Sequence, residues 1–301
     1  MLKKTIQISG LLFVLFCLVR VPVMASSFQI IRFTDQEPVT VRIDVDAMHP
    51  HAVGLKAVDP NFKQDGLTDF TGIRLKTLFS EWGIPTGDGV TVVGTDQYLG
   101  FIPAQDIQKD IALLAWQLNG QPISGLMGGP MKIVYSRGAG IHGSCYIWYV
   151  DTIFVGEPNL PFLEFTRGHV TKKVFPEKLK ADIQTLDPNI FSIPQGCKKS
   201  RETKRYGEEV RAIPLQSIIG KHTDKPVQKI TLVPFAGAGI KIGKQILSYP
   251  VYIALSRGEK PIHSSLGGPF SVIFPVEQYP ELSGMVPDFG ALFFLKEIVA
   301  E

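Results

Sequence analysis

The same order of sequence features occurs twice along the chain. The segment GGPMKIVYS begins at Gly128, and GGPFSVIFP begins at Gly267. Each is preceded by a helical pattern at nearly the same distance, 53 residues from Leu75 to Gly128 and 52 from Leu215 to Gly267. Because a fixed spacing of several features indicates repeated structural units, the sequence predicts two tandem copies of one fold.

Both helical patterns place apolar residues at helical spacing and end at a glycine, which commonly terminates a helix. The first pattern consists of Leu75, Leu78, Phe79 and Trp82, with Gly83 as the stop. The second consists of Leu215, Ile218 and Ile219, with Gly220 as the stop.

Apolar strand segments surround these helices in a common order. Two segments lie between each helix and its Gly-Gly-Pro motif, and one follows the motif: 90–101, 111–123 and 146–155, then 230–242, 249–262 and 291–300. Upstream, 28–48 and 162–183 each show a strand, a turn, a strand and a short helical start. The proline-bearing stretch 156–161 separates the copies. We therefore expect an α+β fold with domains at 26–157 and 158–301.

The first 25 residues have the layout of a signal peptide. Lys3 and Lys4 precede an apolar run that ends near Val19, and Ala25 completes a small-residue cleavage site. The alternative is an uncleaved membrane anchor, but the run is shorter than the ~20 residues that span a bilayer. Without an Arg-Arg pair the signal is of the Sec type. We expect a periplasmic or secreted protein with no stable membrane insertion after cleavage.

Removing this segment changes the charge of the protein. It takes three of the 31 basic residues and no acidic one, which leaves 28 basic and 28 acidic residues. A neutral mature chain gives no electrostatic reason to expect a nucleic-acid partner. The mature chain keeps Cys145 and Cys197, which can pair in an oxidising compartment if the fold brings them together.

The motif order resembles that of the sulfite-oxidase-fold domains, the oxidoreductase molybdopterin-binding family. The matching segments are a helix start at 70–75, a turn tyrosine at Tyr98, a core signature at 120–123 and 128–134, and a strand segment at 147–149. The resemblance implies two tandem sulfite-oxidase-like repeats with mixed β-sheets and short helices. It also implies a molybdopterin cofactor whose molybdenum is bound by a cysteine.

The sequence departs from this family at the positions that serve the cofactor. The stretch 53–64, where the family has its metal-ligating cysteine, contains none. In the second copy Cys197 lies near that place, and Lys198, Lys199 and Arg201 beside it are a candidate anion site. The lysine of the family's Lys-Trp pair is replaced by Ile147 and, in the second copy, by Phe293.

Three interpretations follow from these departures. The leading one is an exported, cofactor-free binding or sensing module whose partner is a small-molecule ligand or a membrane receptor. The alternative is an active molybdopterin-dependent oxidoreductase with Cys197 as the molybdenum ligand, since a thiolate is a suitable soft ligand. The third is a structural role in which Cys145 and Cys197 bridge the two copies.

Two further motifs carry weaker signals. Residues 138–143 match the GxGxxG pattern, but a strand segment follows where a dinucleotide-binding loop needs a helix, so we expect a turn. On an extended chain His49 and His51 would share a face, as a pair of metal ligands does. Pro50 between them and the lack of a third fixed ligand favour a surface turn.

Overall fold

A computed structural model describes residues 27–34, 37–60, 66–141, 143–157, 160–187, 208–287 and 290–301. The predicted signal peptide lies outside these residues, as do Cys197, Lys198, Lys199 and Arg201. Within the described part of the chain, no helix is long and apolar enough to cross a membrane.

The first half forms strands that alternate with short helices. Its strands are β1 (Ser27–Arg32), β2 (Val39–Asp44), β3 (Val53–Ala57), β4 (Thr68–Arg74), β5 (Gly89–Gly94), β6 (Leu99–Pro103), β7 (Ala112–Leu118), β8 (Gln121–Pro122), β9 (Lys132–Tyr135) and β10 (Val150–Val155). Its α-helices are α1 (Val45–Met48), α2 (Leu75–Glu81) and α3 (Ala104–Gln108). Single 3₁₀ turns occur at His49–His51, Gly125–Met127 and Gly143–Cys145.

The second half repeats this alternation. Its strands are β11 (Leu163–Arg167), β12 (Val170–Val174), β13 (Gln184–Leu186), β14 (Val210–Pro214), β15 (Lys229–Pro234), β16 (Ile240–Gly243), β17 (Tyr252–Arg257), β18 (Lys260–Pro261), β19 (Ser271–Ile273), β20 (Ala291–Leu292) and β21 (Leu295–Ala300). Its α-helices are α4 (Leu215–His222) and α5 (Lys244–Leu247), and 3₁₀ turns lie at Pro176–Asp182, Ser264–Leu266 and Pro280–Leu282.

The strands pair into four sheets, which we number I to IV in their stacking order. Sheet I has the order β3-β4-β7-β8 with β9 also on β7, and sheet II has the order β2-β1-β10-β5-β6. Sheet III has the order β13-β14-β17-β19-β20 with β18 also on β17, and sheet IV has the order β12-β11-β21-β15-β16. Sheets II and IV are mixed, because each contains one parallel pair, β1 with β10 and β11 with β21. The fold is therefore α+β, with mixed sheets and short helices. The two halves share a strand order, and their common origin stays a prediction from the sequence.

Three apolar cores hold the stack together. One core lies between sheets I and II, with Ile73 and Ile153 among its buried residues, and another lies between sheets III and IV, with Ile253 and Ile298. The third core joins the halves by packing the outer face of sheet II against sheet III. Its members from sheet II include Ile31, Val93 and Phe154, and those from sheet III include Ala212, Ala254 and Ile273.

Most predicted elements are confirmed, but one helix end was wrong, and neither 146–155 nor 291–300 is a single strand, the latter because Phe294 has a left-handed φ of 59° between β20 and β21. Helix α4 continues through Gly220 to His222, whose ring nitrogen Nδ1 lies 2.8 Å from the carbonyl oxygen of Ile218. The segment 146–155 is not one strand: β10 begins at Val150, because Tyr149 has a left-handed φ of 53° that interrupts extended backbone.

Candidate functional site

The Gly-Gly-Pro turn of the first half brings Trp148 against strand β9. Gly128 has a φ of 84°, and a Cβ atom there would lie 2.6 Å from Cγ of Trp148. Only glycine fits both the backbone conformation and the space. The backbone N–H of Tyr149 donates to the carbonyl oxygen of Gly128 at 2.9 Å, which fixes the position of the tryptophan beside the turn.

Lys132 follows this turn and is buried, with 1% of its surface exposed. A buried ammonium is costly unless it is paired and hydrogen-bonded. Its Nζ forms a short contact with Oδ2 of Asp59 and donates to the carbonyl oxygen of Met127 at 3.0 Å. The same Nζ lies 4.7 Å from the ring centroid of Trp148, in a cation–π position.

Asp59 comes from the segment after β3 and supplies the counter-charge. Its side chain is 5% exposed. Burial lowers the pKa of Lys132, while the hydrogen bond and the charge of Asp59 act to raise it. The two groups therefore depend on each other, since removing one would leave the other as an uncompensated buried charge.

Tyr146 adds a third polar group beside this pair. Burial raises the pKa of its phenol to about 12, and the negative charges of Asp59 and Cys145 act in the same direction. The ring packs against Tyr135 with the centroids 5.3 Å apart. At neutral pH the phenol therefore keeps its proton. We call Asp59, Lys132, Tyr146 and Trp148 the buried polar cluster.

Strand register places Ser271 of sheet III where Lys132 stands in sheet I. Ala115 pairs with Gly72 and Lys132 in sheet I, and Ala254 pairs with Ala212 and Ser271 in sheet III. Ser271 is fully buried, and its hydroxyl donates to the carbonyl oxygen of Gly267 at 3.0 Å. The second half thus carries a neutral group at the position of the buried lysine.

The second Gly-Gly-Pro turn packs against Phe293 in the way that the first packs against Trp148. Gly267 has a φ of 89°, and a Cβ atom there would lie 2.2 Å from Cδ1 of Phe293. Phe294 has a left-handed φ of 59°, like Tyr149. The position that corresponds to Ile147 is therefore Leu292, and the sequence assignment of that position to Phe293 was one residue off. Neither half has a lysine there.

Sheet II of the first half covers this face of the second half. The ring of Phe154 stacks on that of Phe294 with the centroids 4.5 Å apart and an interplanar angle of 19°. Oγ1 of Thr91 lies 2.8 Å from Oγ of Ser264 in a buried hydrogen bond. The face that holds the buried polar cluster in the first half is thus an internal contact surface in the second.

Molybdopterin does not fit the residues that the described part of the chain places at the resemblance-based positions. The stretch 53–64 has no thiol to bind molybdenum, and its Asp59 is engaged by Lys132. Ile147, at the position of the family lysine, is fully buried. In the second half Phe293, Phe294 and Ser271 are completely covered.

Of the other candidate residues that the structure describes, Cys145 lies beside this cluster, and His49 and His51 lie elsewhere. His49 stacks on Trp116 with the centroids 5.7 Å apart, and His51 contacts Trp82 at 6.2 Å. His51 also lies 3.8 Å from a carboxylate oxygen of Glu81. Cys145 is buried, next to Tyr146 in the chain. Among the described residues, no three His, Cys, Asp or Glu side chains are grouped as a metal site requires.

Sequence reasoning included Lys132 in the core signature 128–134 but missed Asp59 and the pairing of these two residues. Lys132 stands alone in the apolar run MKIVY, and a single charge inside a buried strand is a signal that a partner is needed. Asp59 lies in the stretch 53–64, where the resemblance implies a cysteine ligand. Nothing local in the sequence connects the two residues.

A comparison with protein families agrees with the resemblance over part of the chain. Residues 29–154 match the family described as "Oxidoreductase molybdopterin binding domain". A comparison with curated proteins finds no match. Among solved structures, the sulfane dehydrogenase SoxCD from Paracoccus pantotrophus is similar at 11% identity and a TM-score of 0.33, over 82% of this chain and 74% of that chain. Residues 29–154 of this chain therefore resemble the oxidoreductase molybdopterin-binding domain family.

Proposed function

We propose that this protein is an exported member of the family that has lost the cofactor and acts as a binding or sensing module. It recognises a small-molecule ligand, and a membrane receptor is the partner to which it reports. The observation that carries the proposal is the buried Asp59–Lys132 pair, because Asp59 belongs to the stretch 53–64 in which the family resemblance expects the metal-ligating residue.

The first half supports the proposal because its stretch 53–64 lacks a thiol ligand for molybdenum. A molybdenum site of this family needs a thiolate, and the stretch 53–64 supplies none. Its one described buried carboxylate, that of Asp59, is compensated by Lys132. A group that is already paired and desolvated in this way is not available to bind a metal or a pterin.

The second half supports the proposal because its corresponding sheet face is packed against the first half. The alternative enzyme needs an accessible cofactor face near Cys197, a residue that lies outside the described part of the chain. The face of sheet III that corresponds to the buried polar cluster is covered by Phe154 and Thr91 of sheet II. A cofactor on that face would have to displace the contact between the halves.

The test is the molybdenum and pterin content of the mature protein purified from its native exported compartment. We expect no molybdenum by elemental analysis and no fluorescence from released pterin. A molybdenum enzyme purified from the same cells is the positive control, because it shows that the cofactor was available. One molybdenum per chain would overturn the proposal.

A substitution separates the proposal from the alternative enzyme. If Cys197 were the molybdenum ligand, Cys197→Ser would abolish cofactor retention. We expect the pterin content of Cys197→Ser to equal that of the unmodified chain, at background level. Pterin that is present in the unmodified chain and lost in the variant would establish the enzyme instead.

A further inference from the structure

A cleft lies between the two halves, on the opposite side of sheet II from the buried polar cluster. Its cavity volume is about 310 Å³, within the range of small-molecule sites. Strands β1 and β2 of the first half form one wall, and residues of β11, β15 and β21 form the other. Binding sites are common at such junctions between structural units.

The cleft presents one cation and one anion for which the described residues provide no ion pair, although Lys173 stands opposite Glu164 in the β11–β12 ladder. Lys296 of β21 and Glu164 of β11 both line it. In the part of the chain that the structure describes, neither forms an ion pair. By contrast, the third charged residue of the wall, Glu37, is engaged by Lys173. A ligand that carries both charges would complement Lys296 and Glu164 together.

The two charges lie on adjacent strands. Glu164 pairs in register with Glu297 across the parallel ladder of β11 and β21, and Lys296 is the preceding residue of β21. Lys296 lies at a register shift of β21, between Leu295, which pairs with Pro234, and Glu297, which pairs with Val233. Both Lys296 and Glu164 line the cleft, so one small molecule that carries both charges can contact both side chains.

Gln29 contributes a fixed acceptor to the same cleft. Its amide Nε2 donates to Oγ1 of Thr152 and to the carbonyl oxygen of Phe235, both at 2.9 Å. Both amide hydrogens are thereby used, so the orientation of the amide is set. The side-chain oxygen of Gln29 is left as an acceptor for a ligand ammonium.

Aromatic rings also line the cleft. Phe162 and Phe235 both line it. Lys173 lies 4.0 Å from the ring centroid of Phe162, and Lys296 lies 6.0 Å from that of Phe235. The rings are therefore held beside the charged groups, where they offer contact area to an apolar side chain.

We propose that this cleft binds a zwitterionic, amino-acid-like molecule with an apolar side chain. Lys296 pairs with the ligand carboxylate, Glu164 and the oxygen of Gln29 receive the ammonium, and the phenyl rings hold the apolar group. This inference rests on the proposed function, because it names the ligand class of the binding module. Since both halves line the cleft, the ligand would also bridge them, as a ligand-dependent signal requires.

Isothermal titration calorimetry on the full mature chain tests the proposal with three matched probes. L-Phenylalanine carries both charges, phenethylamine lacks the carboxylate, and 3-phenylpropanoate lacks the ammonium. We expect L-phenylalanine to bind and each single-charge analogue to bind at least tenfold more weakly. No heat of binding with L-phenylalanine at millimolar concentration would overturn the proposal, and so would equal affinity for all three probes.

Substitutions locate the site. Lys296→Met and Glu164→Gln should each weaken L-phenylalanine binding at least tenfold. Lys172→Met is the matched control, because Lys172 is an exposed lysine of β12 that does not line the cleft. Unchanged affinity in Lys296→Met and Glu164→Gln would overturn the assignment of the site.

Molybdenum analysis of the same samples keeps the two proposals distinguishable. Absence of both molybdenum and L-phenylalanine binding overturns the ligand class alone. Presence of molybdenum overturns the cofactor-free function, and with it the argument for this ligand.

Discussion

Lys132 and Asp59 are 73 residues apart in the sequence and form a buried ion pair in the structure. Pairs of this kind gain little net stability over well-packed apolar residues, but losing one partner is costly. The pair is therefore best understood as two mutually dependent groups. Asp59 lies within the stretch 53–64, in which the family resemblance puts the metal-ligating residue.

Removing only the ammonium should destabilise the protein strongly. We expect Lys132→Met to lower the free energy of unfolding by about 3–5 kcal/mol, because it leaves the Asp59 carboxylate buried and uncompensated. The double variant Asp59→Leu/Lys132→Met should recover most of this loss. Urea unfolding of the mature chain measures both.

An exposed ion pair provides the control for this comparison of single and double variants. Lys56 and Asp69 lie 3.9 Å apart with side chains 72% and 63% exposed. Lys56→Met should change the free energy of unfolding by less than about 1 kcal/mol. If the double variant at positions 59 and 132 proved as unstable as the sum of its single variants, the mutual dependence would be refuted.

Tyr146 makes the free energy of unfolding depend on pH in the alkaline range. Folding raises the pKa of its phenol from 10.0 to about 12, so the native state holds that proton more tightly than the unfolded state does. Its contribution to stability is complete below pH 10.0 and is lost as the pH rises towards 12.

We therefore expect the free energy of unfolding to fall over this interval by roughly 1–3 kcal/mol more in the unmodified chain than in Tyr146→Phe. Denaturant unfolding at several pH values from neutral to alkaline measures the difference. Parallel curves for the two proteins would show that the pKa of Tyr146 is not raised.

At the scale of elements, a strand of one half meets a turn of the other. Thr91 of β5 and Ser264 of the 3₁₀ turn Ser264–Leu266 share a buried hydrogen bond of 2.8 Å. His263, which precedes this turn, lies against Phe101 with the ring centroids 5.6 Å apart. The turn before the second Gly-Gly-Pro motif thus serves as a docking element, a role that its sequence does not indicate.

Breaking this hydrogen bond on one side should cost more than removing it from both. Thr91→Val leaves the Ser264 hydroxyl buried without its partner and should lower the free energy of unfolding by about 1–3 kcal/mol. Thr91→Val/Ser264→Ala should lie closer to the unmodified chain. A double-variant cycle by urea unfolding tests this, and simple additivity of the two changes would contradict it.

At the scale of the whole molecule, the halves pack head to tail. Sheet II of the first half corresponds to sheet IV of the second by strand order, yet sheet II contacts sheet III, while sheet IV forms the end of the stack. The outer faces differ accordingly. Ile31 and Phe154 of sheet II correspond by register to Thr166 and Val299 of sheet IV.

This arrangement predicts unequal effects at corresponding positions. Phe154→Ala opens a cavity between the halves and should lower the free energy of unfolding by about 3–5 kcal/mol. Val299→Ala, at the matching position on the end sheet, should cost about 1 kcal/mol or less. Urea unfolding compares them, and equal losses would show that the halves do not pack through sheet II.

The sequence alone determined the local elements and their order. Apolar spacing predicted α2 and α4, the spacing of the repeats predicted the common element order, and the Gly-Gly-Pro motifs marked the turns. These features are set by neighbours along the chain, where periodicity and glycine conformation carry the information. The family resemblance also identified 53–64 as the stretch in which the expected ligand cysteine is missing.

Only the tertiary structure decided how distant residues meet. It paired Lys132 with Asp59, started β10 at Val150 rather than at Tyr146, and placed sheet II against sheet III. Each of these outcomes depends on contacts between residues far apart in the chain, or on a backbone turn imposed by packing. The sequence pattern does not reveal such contacts, because residues that are far apart along the chain become neighbours only in the folded structure.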